Sequence, residues 1–200
     1  MEKIIKSVLV SIRFLIYLRT MLIVISYKII FPKLKLGKNI RFNGSPFIRA
    51  FGNTNLGNNL IFNSTTQYNT VGLFKKCSIY VAKSAKLIVG DYSGFSGVSL
   101  HCQKSITIGK HCKFGGNVCI WDTDFHSLNY IERRKSIDHD IKSEEILIGD
   151  DVFIGANSIV LKGVVIGDKA IIGAGSVVSK SIPAGEIWAG NPICFIKLVK

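Results

Sequence analysis

Two aspartates and a histidine stand together in the segment Asp122-Thr123-Asp124-Phe125-His126, and they make the strongest candidate for chemistry in the chain. A histidine side chain titrates at about 6.5, so a neutral imidazole can take a proton from an alcohol at cellular pH. A base of that kind needs an acceptor on its second ring nitrogen. Asp124 lies two residues before His126, and side chains two apart in an extended segment point the same way. Asp124 is therefore expected to orient the ring, with Asp122 as the second choice. A histidine in a polar loop is by itself more often merely solvated. What sets His126 apart is where its segment leaves the scaffold.

That scaffold is legible as a period. Ile148, Ile154, Val160, Ile166, Ile172 and Val178 recur at strict intervals of six, and Gly149, Gly155, Gly167 and Gly173 follow four of them. No α-helix has this period and neither does a simple strand. It predicts an all-β chain wound as a left-handed parallel β-helix, each turn a triangle of three short strands. The same step shows once in Leu36-Gly37 with Phe42, Leu56-Gly57 with Phe62, and Val89-Gly90 with Phe95, and cleanly in Ile108, Phe114 and Ile120. It then breaks until Ile148. That gap is not a multiple of six, so a loop must leave the coil over 121–145, and long loops on regular scaffolds tend to carry function. The dense asparagines Asn39, Asn43, Asn53, Asn55, Asn58, Asn59, Asn63 and Asn69 read as corner residues, since Asn tolerates left-handed backbone angles.

Residues 1–32 form a separate segment ahead of a coil domain over 33–200. Residues 3–31 read as one helix, with Lys3, Lys6, Arg13, Tyr17, Thr20 and Lys28 roughly on one face and Arg19 off it. Residues 1–41 hold nine Lys/Arg against Glu2, so this end carries most of the net charge of +13. The longest uncharged run, Thr20–Tyr27, is short for a transmembrane span, and no small-residue cleavage site follows it. An amphipathic helix lying in an anionic inner-leaflet surface is expected through residues 3–31, with a plain cap on the open end of the coil as the alternative. The basic residues are interleaved with aliphatic ones rather than with stacking aromatics on a folded face, which argues against nucleic acid. A cytoplasmic protein, peripheral on the inner face of the membrane, follows.

Cys77, Cys102, Cys112, Cys119 and Cys194 are odd in number and contain no CxxC pair, so a reducing compartment is expected and a disulfide framework is not. Cys112 is expected simply to pack at a small position of the coil. His101-Cys102 and His111-Cys112 repeat ten residues apart, which does not stack them on one face, so no metal site is expected from them or from His139.

Three segments together resemble the hexapeptide-repeat acyltransferases, which include serine, maltose, galactoside, xenobiotic and polysaccharide O-acetyltransferases. They are Asp122-Thr123-Asp124-Phe125-His126, the repeat turn Ile148-Gly149-Asp150-Asp151-Val152-Phe153-Ile154-Gly155-Ala156, and the closing Ser181-Ile182-Pro183-Ala184-Gly185 through Gly190-Asn191-Pro192. The resemblance covers roughly 85–197, with 181–200 as a closing segment. It implies an acetyl-CoA donor, a hydroxyl or amine acceptor, and a homotrimer with each site between two neighbouring coils. It implies that His126 is the catalytic base, that backbone amides at Gly155 and Ala156 meet the thioester carbonyl, and that Gly173 and Ala174 contact the pantetheine arm. Ser179, Lys180 and Lys197 would meet the phosphate end of coenzyme A. Two positions depart from the pattern: Ile193 stands where many relatives have alanine, and Cys194 where a second basic residue is common. The asparagine that holds the acceptor in some relatives aligns near Ser96. Trp188 either lines the donor tunnel or covers the end of the coil.

The resulting expectation is an acetyl-CoA-dependent O-acetyltransferase acting on a sugar hydroxyl in a cell-surface polysaccharide or lipid-linked glycan precursor. The alternatives are a small-molecule acetyltransferase for a free sugar or xenobiotic, a non-catalytic β-helix scaffold, and a zinc hydratase like the γ-carbonic anhydrases of this fold.

Overall fold

The structure, a computed structural model, describes the backbone of residues 2–200; the side chains of residues 2–9, 13 and 16 lie outside the described set, and with them the expected polar-face positions Lys3, Lys6 and Arg13. A single α-helix, Glu2–Ile30, precedes a left-handed parallel β-helix. Among the described residues the strands form three sheets, the faces of a triangular prism. Face A runs upward from Leu34–Leu36 through Asn53–Leu56, Lys86–Val89, Ser105–Ile108 and Ile146–Ile148 to Val165–Ile166. Face B runs from Arg41–Asn43 through Ile61–Asn63, Gly94–Ser96, Lys113–Gly116 and Phe153–Ile154 to Ile171–Ile172, and ends on Glu186–Ala189 with the antiparallel Cys194–Leu198. Face C runs from Phe47–Ala50 through Ser78–Val81, Ser99–Cys102, Cys119–Trp121 and Ile159–Val160 to Val177–Val178.

The period of six is the inward-facing residue of each short strand. Ile148, Ile154, Val160, Ile166, Ile172 and Val178 are all at most 3% exposed. Burying an aliphatic side chain of this size contributes about 1.5–3 kcal/mol, and the repeat does so at every strand. In the lower coils the same position on face B is aromatic. Phe42, Phe62, Phe95 and Phe114 stack in sequence with centroids 5.3, 4.8 and 4.7 Å apart. This ladder fills the core of the lower, less regular rungs.

The corner between faces A and B explains several polar residues at once. Asn39, Asn59, Tyr92, His111, Asp151 and Lys169 all take left-handed φ there, between 55° and 62°. The preceding Asx side chains hold the rungs together: Asn58, Asp91, Asp150 and Asp168 each accept a backbone N–H from the rung before, from Lys38, Asn58, Lys110 and Asp150 respectively. Backbone and side-chain donation from Asn58 holds the Asp91 carboxyl below its usual range. Asn39 and Asn59 are corner residues as expected. Asn43, Asn63 and Asn69 are not, and they return below.

The helix meets the coil at its C-terminal end. The Tyr27 hydroxyl donates to the Pro46 carbonyl at 3.2 Å, and Phe31 enters the core edge-on to Phe51. One face of its C-terminal half lies along the first rung, with Thr20 buried and Ile23 and Val24 half-buried, while the other face is bare: Val10, Leu15, Leu22 and Ile29 are 60–77% exposed. Val10–Ile30 is long and apolar enough to cross a membrane by length and composition, and only 12% of it is buried. Arg13, Arg19 and Lys28 interrupt this 21-residue stretch, which is why its uncharged runs stay short although its composition is mostly apolar.

All five cysteines are free, with Cys77, Cys102 and Cys112 buried. Burial pushes the Cys112 thiol up to about 11, and its Sγ donates to the Gly149 carbonyl at 3.1 Å, the behaviour of a packing residue.

Candidate active site

Residues 122–145 leave the prism at the corner between faces C and A and return to it at Ile146. The root of this excursion is tied by a bridge between Thr123 and Ser143, whose hydroxyls also bond at 2.9 Å. The Asp124 N–H donates to Lys142 O and the Glu144 N–H to Asp122 O, closing a neck. Beyond the neck a short helix, Tyr130–Arg133, is capped by Asn129, and Arg133 Nη1 donates to the carbonyls of Ser127 and Leu128. The excursion is thus a built element with its own hydrogen bonds.

His126 stands at its edge with a side chain 74% exposed. Its Nδ1 lies 2.9 Å from Asp138 Oδ2, and the same oxygen accepts the Ser127 N–H at 3.1 Å. A carboxylate at Nδ1 places the proton there and leaves the Nε2 lone pair as the acceptor. The orienting acid is therefore Asp138 and not Asp124. Asp124 forms an ion pair with Lys162 at 2.7 Å, from the loop root to the next rung of the same corner. The reason is the residue between them. Phe125 has φ 64°, a left-handed conformation that a bulky residue seldom adopts. That reversal breaks the alternation on which the pairing of Asp124 with His126 relied, and it turns Phe125 back against His101, 4.6 Å between centroids, and edge-on to Trp121. Asp138 was missed because it lies 12 residues along the chain, on the returning half of the loop. Nothing in its local sequence marks it.

Asp122, the second choice, is fully buried and serves the coil. Its two oxygens accept the N–H groups of Gln103, Lys104 and Ser105 at 2.7–2.8 Å, and so close the corner of the rung below. His101 stacks on Tyr80 at 4.5 Å, and its burial lowers its pKa. His111 stacks on Tyr92 at the opposite corner.

The expected donor residues divide between two corners. Gly155-Ala156 and Gly173-Ala174 lie one above the other at the corner between faces B and C. The rungs there approach so closely that a Cβ on Gly155 would stand 2.4 Å from the Ala174 nitrogen. Ser179 and Lys180 lie at the corner between C and A, on the side of the histidine loop, and Lys197 lies on the antiparallel strand opposite Ile187. Lys180 Nζ sits 5.0 Å over the Trp188 ring, whose Nε1 donates to Glu186 Oε2. Trp188 is half-buried against the end of the core, where Ile193 is also buried.

A second excursion, residues 64–76, went unread. It leaves the corner between B and C, and Asn117 docks it: Oδ1 accepts the Phe74 N–H and Nδ2 donates to the Gly72 carbonyl. Its signal was present. Register partners Asn43 and Asn63 are 20 residues apart, but Asn63 and Ser96 are 33 apart, so about one short loop is inserted between them.

A family model described as the hexapeptide repeat of succinyl-transferase matches residues 145–180. No curated protein matches. Among solved structures, a hexapeptide-repeat acetyltransferase from Vibrio cholerae O1 biovar eltor, crystallised with acetyl-CoA, is 30% identical with a TM-score of 0.52. That match covers 57% of this chain and 61% of the Vibrio chain. A maltose O-acetyltransferase from Clostridium difficile 630 is 24% identical, TM-score 0.56, covering 96% of this chain and 89% of that one. The N-acyltransferase AntD from Bacillus cereus, in complex with dTDP and 3-hydroxybutyryl-CoA, is 24% identical, TM-score 0.67, covering 86% of each chain. In its repeat and in its fold the chain is similar to hexapeptide-repeat acetyltransferases.

Proposed function

We propose that this hexapeptide-repeat β-helix protein transfers an acetyl group from acetyl-CoA to a hydroxyl of a sugar in a cell-surface polysaccharide or lipid-linked glycan precursor. The observation that carries the reading is the pairing of His126 Nδ1 with Asp138 at the exposed edge of a self-supporting loop. In the reaction, Nε2 of His126 takes the proton of the sugar hydroxyl. The oxygen attacks the thioester carbon, the backbone amide of Ala156 holds the oxyanion (the Gly155 N–H being already given to the Ile172 carbonyl at 2.7 Å), and the C–S bond breaks to release the thiolate of coenzyme A, which recovers the proton from the imidazolium. Gly173-Ala174 give passage to the pantetheine arm, and Ser179, Lys180 and Lys197 receive the phosphates. Support for the donor comes from neighbours crystallised with acetyl-CoA or an acyl-CoA.

The base and the donor amides of one copy lie at the two ends of face C. Counted with its corner residues, a side of the prism here is four to six residues long, roughly 13–20 Å, too far for one imidazole to serve a thioester at the other corner. A homotrimer, in which the histidine corner of one subunit faces the amide corner of the next, brings them together. The exposed apolar face of the helix, at the end of the chain carrying most of the charge, lies on the inner face of an anionic membrane and keeps the enzyme near its acceptor.

The test is radiolabelled acetyl transfer by the full chain, wild type against His126→Ala. The variant should bind acetyl-CoA normally by calorimetry and lose nearly all transfer. Full retention of transfer rules out the base. Product lability in mild alkali distinguishes an ester from an amide. Leu15→Glu with Leu22→Glu should release the protein from anionic vesicles; unchanged partition overturns the membrane assignment.

A further inference from the structure

On the outer surface of face B, immediately below the donor corner, is a cleft of about 330 Å³ whose walls include Asn63, Asn69, Ser96, Lys113 and Gly115-Gly116. Ile61, Val71, Phe114 and Phe153 make the rest of its lining apolar, and the polar groups among them are tied to one another. Ser96 Oγ accepts the side-chain amides of Asn63 at 3.1 Å and Asn69 at 2.8 Å, and Asn63 Oδ1 in turn accepts Asn43 Nδ2 at 2.7 Å. Asn43, Asn63 and Ser96 are register partners on consecutive rungs, so these groups form one vertical column. Gly116 continues it upward, and a Cβ on neighbouring Gly115 would already touch the Ala156 nitrogen. The 64–76 excursion supplies the side wall through Asn69 and Val71. Downward, the column opens into a hollow shared by Asn43, Arg41 and Tyr17 of the N-terminal helix.

We infer that this column is the acceptor track and that the acceptor is an oligosaccharide of at least two sugar units, a deepening that rests on the donor reading above. Rungs are about 4.8 Å apart, so Asn43 to Ser96 spans about 10 Å, near the length of two pyranose rings end to end. Amide and hydroxyl groups that already bond one another can exchange those bonds for sugar hydroxyls at little net cost. The terminal sugar then reaches Gly115-Gly116 beneath the thioester, and the remainder of the glycan runs down toward the helix. A free monosaccharide would use only the top of the track.

The experiment uses the full-length protein, radiolabelled acetyl-CoA, and a size-fractionated glycan extract of the cells that express it. Label should enter disaccharide and longer fractions, with kcat/KM at least tenfold above the monosaccharide fraction. Asn63→Ala and Asn69→Ala should each raise the acceptor KM about tenfold, leave the acetyl-CoA KM unchanged, and melt within a few degrees of wild type. Equal labelling of monosaccharides, or an unchanged acceptor KM in both folded variants, overturns the track. Binding of acetyl-CoA without transfer to any fraction overturns it as well. Failure to bind acetyl-CoA at all sinks the donor reading instead, and calorimetry separates that result from the others.

Discussion

The prism sends out two excursions, and they do opposite things. Residues 122–145 leave the C–A corner through a narrow neck, build a short helix of their own and hold an imidazole out to solvent. Residues 64–76 leave the B–C corner and are drawn back onto it by Asn117, with the Asn69 side chain turned into the column of face B. One loop holds its imidazole away from its own coil; the other shapes a surface on its own chain. A solenoid corner tolerates either because the backbone ladder on both sides is already satisfied without the inserted residues.

The largest effect that tests this contrast belongs to the outward loop. His126→Ala should lower kcat by roughly 10²–10⁴-fold with acetyl-CoA affinity unchanged. Within the same loop the two carboxylates should separate. Asp138→Asn should lower kcat by up to roughly 10⁴-fold, because an amide at this place no longer fixes the tautomer of the ring. Asp124→Asn should leave kcat within a few-fold and show instead as a lower melting temperature, since its partner is Lys162. Comparable kcat losses in both would mean that the loop rearranges on binding. If the loop serves a neighbouring copy, an inactive His126→Ala protein mixed and refolded with an inactive Ala174→Trp protein should recover activity, because roughly a quarter of the interfaces in random trimers pair the two intact halves. No recovery would place base and donor corner in one chain.

Smaller effects test the scaffold beneath the loops. Asp122→Ala should destabilise by roughly 3 kcal/mol, as three buried backbone donors lose a charged acceptor, and this is read from a denaturant midpoint. His101 sharpens the contrast least but with a definite sign. Its pKa is lowered by burial, so the folded state binds fewer protons there than the unfolded chain. Stability should therefore be complete above the ordinary histidine value near 6.5 and decline as pH falls below it. His101→Gln should flatten that decline in thermal melts between about pH 7 and 5.

The sequence by itself determined the coil. Ile148 to Val178 recur every six residues because each short strand has one inward position, and that position must be apolar whatever the neighbours do. It also determined that a loop had to leave before Ile146, and that the loop began with a histidine segment. It did not reveal the smaller excursion as a loop, since the lower rungs vary in length and the inserted residues were absorbed into an imperfect register. Only the tertiary structure decided who faces whom. Asp138 reaches His126 because the loop folds back on itself, and Asp124 turns away because Phe125 takes a left-handed angle. Asp122 is a corner clamp because three backbone donors of another rung converge on it. A period is a local property, repeated at every rung, and one copy of it is enough to read. A pairing between residues on different rungs or on two arms of a loop has no local signature, because it is set by the path of all the backbone between them.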